Sequence, residues 1–213
     1  MNARLRILPR RGAALAAAAA IALALAGCQV TRVSPVKQTF LLDPPPPPAA
    51  ARAQPGTLRV DPVNVAAPYR GRGFVFRETD LRFETDFYNE FIVAPAANIT
   101  DATTRGLQRA GTFSRVVAPG PPLDADWVLA GFVSALYADV REPAKPAAEL
   151  AITYYLSRAE GGSGVPFWSR EYTRRVPLAS AGATSYAAGL NTAVGEIVAE
   201  LAKDLAAAQL PAK

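Results

Sequence analysis

The stretch DWVLAGFVSALYADV, Asp126 to Val140, constrains the fold more than any other part of the chain. Its apolar residues fall at both even and odd positions, whereas a strand with one wet face alternates. Such a run is expected as a central strand covered on both faces, or partly paired with a partner. Trp127 and Phe132 are accordingly expected in the core. The next segment, ELAITYYLSRA, alternates cleanly, with Leu150, Ile152, Tyr154 and Leu156 set against Ala151, Thr153, Tyr155 and Ser157. The run EGGSG, Glu160 to Gly164, then leads into VPFWSREYTRRV, which predicts a long hairpin.

Upstream, TLRVDPVNV carries two short apolar pairs separated by Asp61-Pro62, and the proline predicts an edge strand or a bulge. GFVFRETDLRFETD, Gly73 to Asp86, reads as a hairpin turning near Thr79-Asp80. Phe87, Phe91, Ile99, Ala102, Leu107 and Ala110 recur at spacings compatible with a helix, in which Pro95 either kinks the chain or sits in the first turn. Gly111 is the expected stop, and SRVVAP a short strand. Tyr186, Leu190, Val194, Ile197, Leu201 and Leu205 repeat every three or four residues, predicting an amphipathic C-terminal helix closed by Pro211. The order of strands, helix, strands and helix predicts an α+β domain over residues 57–213, a two-layer fold with two main helices on a largely antiparallel sheet.

The N-terminal part reads differently. Arg4, Arg6, Arg10 and Arg11 precede an uncharged run from Gly12 to Gly27 that is almost all Ala, Leu and Ile. A positive start, a short apolar stretch and small residues before a cut predict a secretory signal peptide over residues 1–27. The run is short of the about 20 apolar residues of a membrane span. Leu25-Ala26-Gly27-Cys28 resembles the lipobox of bacterial lipoproteins, and Cys28 is the single cysteine of the chain. The resemblance implies cleavage before Cys28, an S-diacylglycerol on its thiol and an N-acyl chain, palmitate for example, on the new amino end. Each buried methylene contributes about 0.8 kcal/mol, so two or more chains hold a protein firmly on a membrane without spanning it. Gln29, where an Asp tends to retain enteric lipoproteins at the inner membrane, favours the periplasmic face of the outer membrane of a Gram-negative bacterium.

Residues 28–56 are expected to be the lipidated terminus and a tether. Pro44 to Pro48 favour an extended polyproline II rod, a stiff spacer looping away from the domain. KQTFLLD, residues 37–43, is too apolar for a pure linker and is expected as a short docked strand. Removing the four leading arginines leaves 19 basic against 18 acidic residues, so the net charge of +5 belongs mostly to the export signal. Nucleic-acid binding loses its main support.

Catalysis is not expected. The chain has no histidine for general base work, its one cysteine is assigned to lipid, and neither a glycine-rich phosphate cradle nor a metal-ligand cluster is present in the sequence. No cofactor or metal is expected beyond the covalent lipid. Glu78, Asp80, Glu84 and Asp86 form the one acidic cluster, and Glu84 with Asp86 could in principle cleave a cell-wall glycosidic bond. Their alternation with Arg77 and Arg82 points instead to a solvated hairpin face. Two stretches have the aromatic and arginine mixture of protein interfaces: Tyr69, Arg70, Arg72 and Arg77, and Phe167, Trp168, Arg170 and Tyr172.

TFLLDPP, LRVDPVNVAAPYRGRGFVFR, FYNEFIVAPAANITDATTRGLQRAGTFSRVV and YYLSR with PFWSREYTRRVPL resemble the auxiliary lipoproteins of ABC-type transport systems. That family includes the lipoprotein partner of paraquat-inducible, mammalian-cell-entry-type lipid transport proteins. The resemblance spans roughly Thr39 to Leu205. It departs at Phe40, where a tyrosine is frequent, and in the long proline run. It implies a non-enzymatic outer-membrane subunit that braces or receives a periplasmic lipid conduit, assembles as a ring of copies, and binds a mammalian-cell-entry-domain protein with its permease and ATPase. Two rivals are an assembly-factor lipoprotein of an outer-membrane pore and the cell-wall glycosidase.

Overall fold

The computed structural model describes residues 36–120, 124–159 and 165–211. The expected signal peptide and Cys28 lie outside the described residues. In chain order the elements are β1 (Gln38–Phe40), β2 (Gln54–Val60), β3 (Asn64–Val65), a 3-10 turn (Ala67–Tyr69), β4 (Gly73–Arg77), β5 (Phe83–Phe91), α1 (Pro95–Ala110), β6 (Phe113–Val117), β7 (Trp127–Asp139), β8 (Ala147–Arg158), β9 (Trp168–Pro177) and α2 (Ala183–Ala207).

The apolar stretch forms β7, which is paired on both edges. On one side β8 runs antiparallel to it from Trp127↔Arg158 to Asp139↔Ala147, and β9 continues the sheet antiparallel to β8. On the other side three short strands share the length of β7, all parallel to it, with registers Leu58↔Trp127 for β2, Asn64↔Phe132 for β3 and Phe76↔Ala138 for β4. Pro62 and the 3-10 turn, with Pro68 inside it, break what would otherwise be one long partner strand. Outside these, β6 lies parallel to β2, β5 antiparallel to β4, and β1 parallel to β5. The sheet is therefore mixed. Its longest ladders are the antiparallel ones, and the helices make the fold α+β.

Both helices lie on one face. Tyr154 of β8 and Thr103 of α1 share a 2.8 Å hydrogen bond between hydroxyls, and Tyr172, the cross-strand neighbour of Ile152, reaches Asp204 of α2 from that same face. Pro95 occupies the first turn of α1, so Phe87 and Phe91, expected in this helix, lie in β5 instead, and Gly111 ends the helix with φ 66°, a left-handed conformation open to glycine without strain. The opposite face of β7 has no described helix over it, so the two-sided cover expected for this strand is one-sided. Trp127 is buried, but Phe132 points to the open face and is 40% exposed, against its expected place in the core.

The second correction concerns the proline run. It does not loop away as a spacer; it crosses the helices as a strap. Leu42 is 1% exposed in the core, and the Asp43 amide donates to Asn191 Oδ1 of α2 at 2.8 Å. Arg105 of α1 pairs with Asp43 at 3.2 Å. A Cβ on Gly195 of α2 would meet Pro44 at 3.2 Å, and one on Gly106 of α1 would collide with Val198, so glycines let strap and helices close together. Further on, the Ala50 amide donates to the Ala110 carbonyl at 2.7 Å, and Gln54 Nε2 donates to the Leu205, Ala206 and Ala208 carbonyls at the end of α2. Proline suits this position because it has no N–H to satisfy and presents apolar rings to the helices. The compact unit begins at Lys37, not at Thr57, and β2 begins at Gln54. Leu42→Ala is expected to lower stability by about 2–4 kcal/mol, the usual range for truncating a fully buried leucine. Chemical denaturation measures this, and an unchanged midpoint would mean that the strap is detached in solution.

Candidate partner-binding surface

In the first aromatic–arginine group the structure brings the residues together, but mostly to brace one another. Tyr69 is buried, its ring stacked on Tyr137 at 6.0 Å between centroids, and burial pushes its hydroxyl pKa up. Arg77 lies over the rings of Phe83 and Tyr137 and donates to the carbonyls of Thr79 and Asp80, which ties down the β4–β5 turn. Arg72 donates to Ile92 O at 3.0 Å and to Glu90 at 2.7 Å, and Arg70 donates through Nε to Val65 O at 2.9 Å. Of these four side chains Arg70 and Arg72 are exposed, while Tyr69 is closed to a partner.

The second group is drawn inward still more. Tyr172 is 2% exposed and donates its hydroxyl to Asp204 at 2.6 Å. Desolvation and that carboxylate together hold its pKa far above the ordinary tyrosine value. Arg170 pairs with Asp204 and Glu200, each at 2.7 Å, and Arg174 pairs with Glu196 and Glu200. Strand residues two apart share a face, as do helix residues four apart. Arg170, Tyr172 and Arg174 on β9 thus meet Glu196, Glu200 and Asp204 on α2. Trp168 is half-buried against the core, and Phe167 stands edge-on to Trp127 at 5.6 Å, exposed at the end of the hairpin. The Tyr69 and Tyr172 assignments to a partner surface are corrected by their burial, and Arg170 is engaged within the chain.

Each acidic side chain of the β4–β5 hairpin has a local partner. Arg82 pairs with Glu78 at 3.1 Å and Glu84 at 3.2 Å. Asp86 accepts the Tyr88 and Asn89 amides, and Asp80 pairs with Arg141 at 2.6 Å. This is the solvated hairpin face that alternation with arginine predicts. Among the described residues no group of His, Cys, Asp and Glu is arranged to hold a metal ion.

One cluster has no counterpart in the sequence reading. Asp139, at the end of β7 and 3% exposed, accepts from Arg141 at 2.9 and 2.8 Å and from Arg175 of β9 at 2.9 Å; Arg175 also pairs with Glu149. Hydrogen bonds from Arg141, then from Arg175, outweigh desolvation and hold the Asp139 carboxyl well below the usual carboxylate range. A folded-state pKa below the unfolded value means that this stabilisation is present above the unfolded carboxylate value of about 3.9 and is lost as pH falls below it. Asp139→Asn is expected to lower stability at neutral pH by roughly 2–3 kcal/mol through lost charge-assisted hydrogen bonds. The same change should flatten the loss of stability between about pH 4 and pH 2. Denaturation midpoints across that range compare the two proteins.

The sheet has an open face, with Phe132 at the centre beside Thr153 of β8 and Glu171 of β9, and β9, like β1 and β6, pairs with a single described strand and so has an outer edge without a strand partner. The chain belongs to the family described as the ABC-type transport auxiliary lipoprotein component, whose model matches residues 40–202. It is thus a transport-associated auxiliary lipoprotein. The crystal structure of protein XCC0632 from Xanthomonas campestris, of the DUF330 family, is similar over 80% of this chain and 95% of that one, with 19% identity and a TM-score of 0.70. That of an uncharacterized protein is similar over 80% and 99%, with 17% identity and a TM-score of 0.61. These likenesses are of fold. No curated protein matches the chain.

Proposed function

We propose that the protein is a lipid-anchored subunit at the periplasmic face of the outer membrane, carrying S-diacylglycerol and N-acyl chains on Cys28. It braces or receives the conduit of a lipid transport system built on a mammalian-cell-entry-domain protein with its permease and ATPase. Its own part is structural, and it works as a ring of identical copies. The observation that carries this reading is the family match over the folded unit, residues 40–202. The open sheet face supports it, because no described helix covers it and Phe132 and Tyr155 both lie on it incompletely buried. The lipobox-like Leu25 to Cys28 supports the anchor.

Affinity purification of the tagged, acylated protein from detergent-solubilised envelopes, followed by mass spectrometry, is expected to recover a mammalian-cell-entry-domain protein with its permease or ATPase. Phe132→Thr, which keeps a β-branched residue in the central strand, should reduce that recovery at least about tenfold, the equivalent of about 1.4 kcal/mol, while the protein stays folded and loses no more than about 1–2 kcal/mol of stability. Recovery of an outer-membrane pore alone would select the assembly-factor reading and overturn this one.

A further inference from the structure

The corner of the sheet where β1 meets β5 carries a second exposed apolar group that the proposed conduit contact does not use. β1 pairs with β5 from Gln38↔Asn89 to Phe40↔Phe91, and the Ile92 amide continues the pairing by donating to the Phe40 carbonyl at 2.8 Å. Phe40 and Phe91 turn inward. Around them Phe87 is 70%, Leu41 59% and Ile92 50% exposed, with Tyr88 and Val93 also exposed. Phe87 and Tyr88 meet edge to face at 5.1 Å, and the Lys37 ammonium sits 4.7 Å from the Phe87 ring centroid. Single exposed apolar residues are ordinary, but aromatic and aliphatic side chains gathered at one corner mark a contact surface.

The chain itself says what that surface faces. Lys37 opens the compact unit, and only eight residues separate it from Cys28. Fully extended, the nine steps from Cys28 to Lys37 span no more than about 32 Å. On the reading that Cys28 is acylated, which this inference rests on, the β1–β5 corner is held close to the lipid headgroups, with the rest of the domain beyond it. A site tethered at that range meets the membrane at high effective concentration, so that even a weak surface affinity is expressed. Tyrosine settles at a membrane–water boundary, exposed phenylalanine and isoleucine enter its apolar side, and a lysine beside them suits anionic headgroups.

We propose that the β1–β5 corner, centred on Phe87, Tyr88 and Ile92, is a membrane-contacting surface that rests the folded unit on the phospholipid layer holding its anchor. The domain then has a fixed orientation, with the β8–β9 hairpin directed away from the bilayer, rather than swinging on a lipid tether.

The test is site-specific photocrosslinking of the full acylated chain in vesicles of phosphatidylethanolamine and phosphatidylglycerol. Benzoylphenylalanine replaces Phe87, Ile92 or, across the sheet, Phe167, all exposed positions that tolerate an aromatic group. After irradiation, phospholipid adducts are expected at 87 and 92 in about tenfold greater yield than at 167, because the first two lie in the headgroup layer and the third in water. Acylated protein whose adducts at 87 and 92 join two copies of the chain, or that gives no adduct there, overturns the proposal and leaves the anchor standing. The mass of the N-terminal peptide from the same sample reports the anchor separately: an unacylated Cys28 overturns the anchor, and the proposal with it.

Discussion

β7 is hydrogen-bonded on both edges, to β8 along its length on one side and to β2, β3 and β4 in three short stretches on the other. Every other element takes its position from that pairing. A continuous strand of 13 residues gives three short, proline-interrupted strands a common ruler, and none of them could form a sheet edge alone. It also fixes which side chains face the helices, because one register decides the parity of the whole layer. The irregularity between Val133 and Ala135 then lets Leu136 and Ala138 continue on the helix side after Leu129, Gly131 and Val133.

Over this layer the helices are held by different means at different places. Toward β9, ion pairs of Arg170 and Arg174 with Glu196, Glu200 and Asp204 line up a strand repeat of two with a helix repeat of four. In the middle, rings pack: Phe74 meets both Phe91 and Tyr186 edge to face. Above, the strap from Leu42 to Gln54 spans both helices and pins the end of α2 through one glutamine side chain. Exposed ion pairs contribute little singly, so the apolar contacts and the strap carry most of the stability, and the arginines mainly fix how β9 lies under α2.

This division of labour bears on function. Arginines and tyrosines that in composition look like an interface are used up inside the chain, and what remains outward is less conspicuous: one phenylalanine on the bare sheet face, an unpaired strand edge, and the apolar corner beside β1. Two separate surfaces, one near the chain's entry and one on the sheet, suit a subunit that stands between a membrane and a partner.

Much of the fold is legible in the residues alone. The clean alternation of β8, the three-and-four repeat of α2, and Gly111 as the stop of α1 are local patterns, and local backbone preferences with one-sided burial are enough to produce them. The lipobox-like stretch and the missing histidine, likewise, bound the function through composition alone. What only the tertiary structure decided are matters of meeting. Whether five prolines swing free or lie on two helices depends on Gly106 and Gly195 opening a track for them. Whether Phe132 is core depends on which face both helices choose, and whether Arg170 and Tyr172 are offered to a partner depends on two acids, Glu200 and Asp204, about thirty positions away. The buried Asp139 finds Arg175 only across two strand pairings. A sequence states what each residue can bind, and the packing of distant segments determines what it does bind.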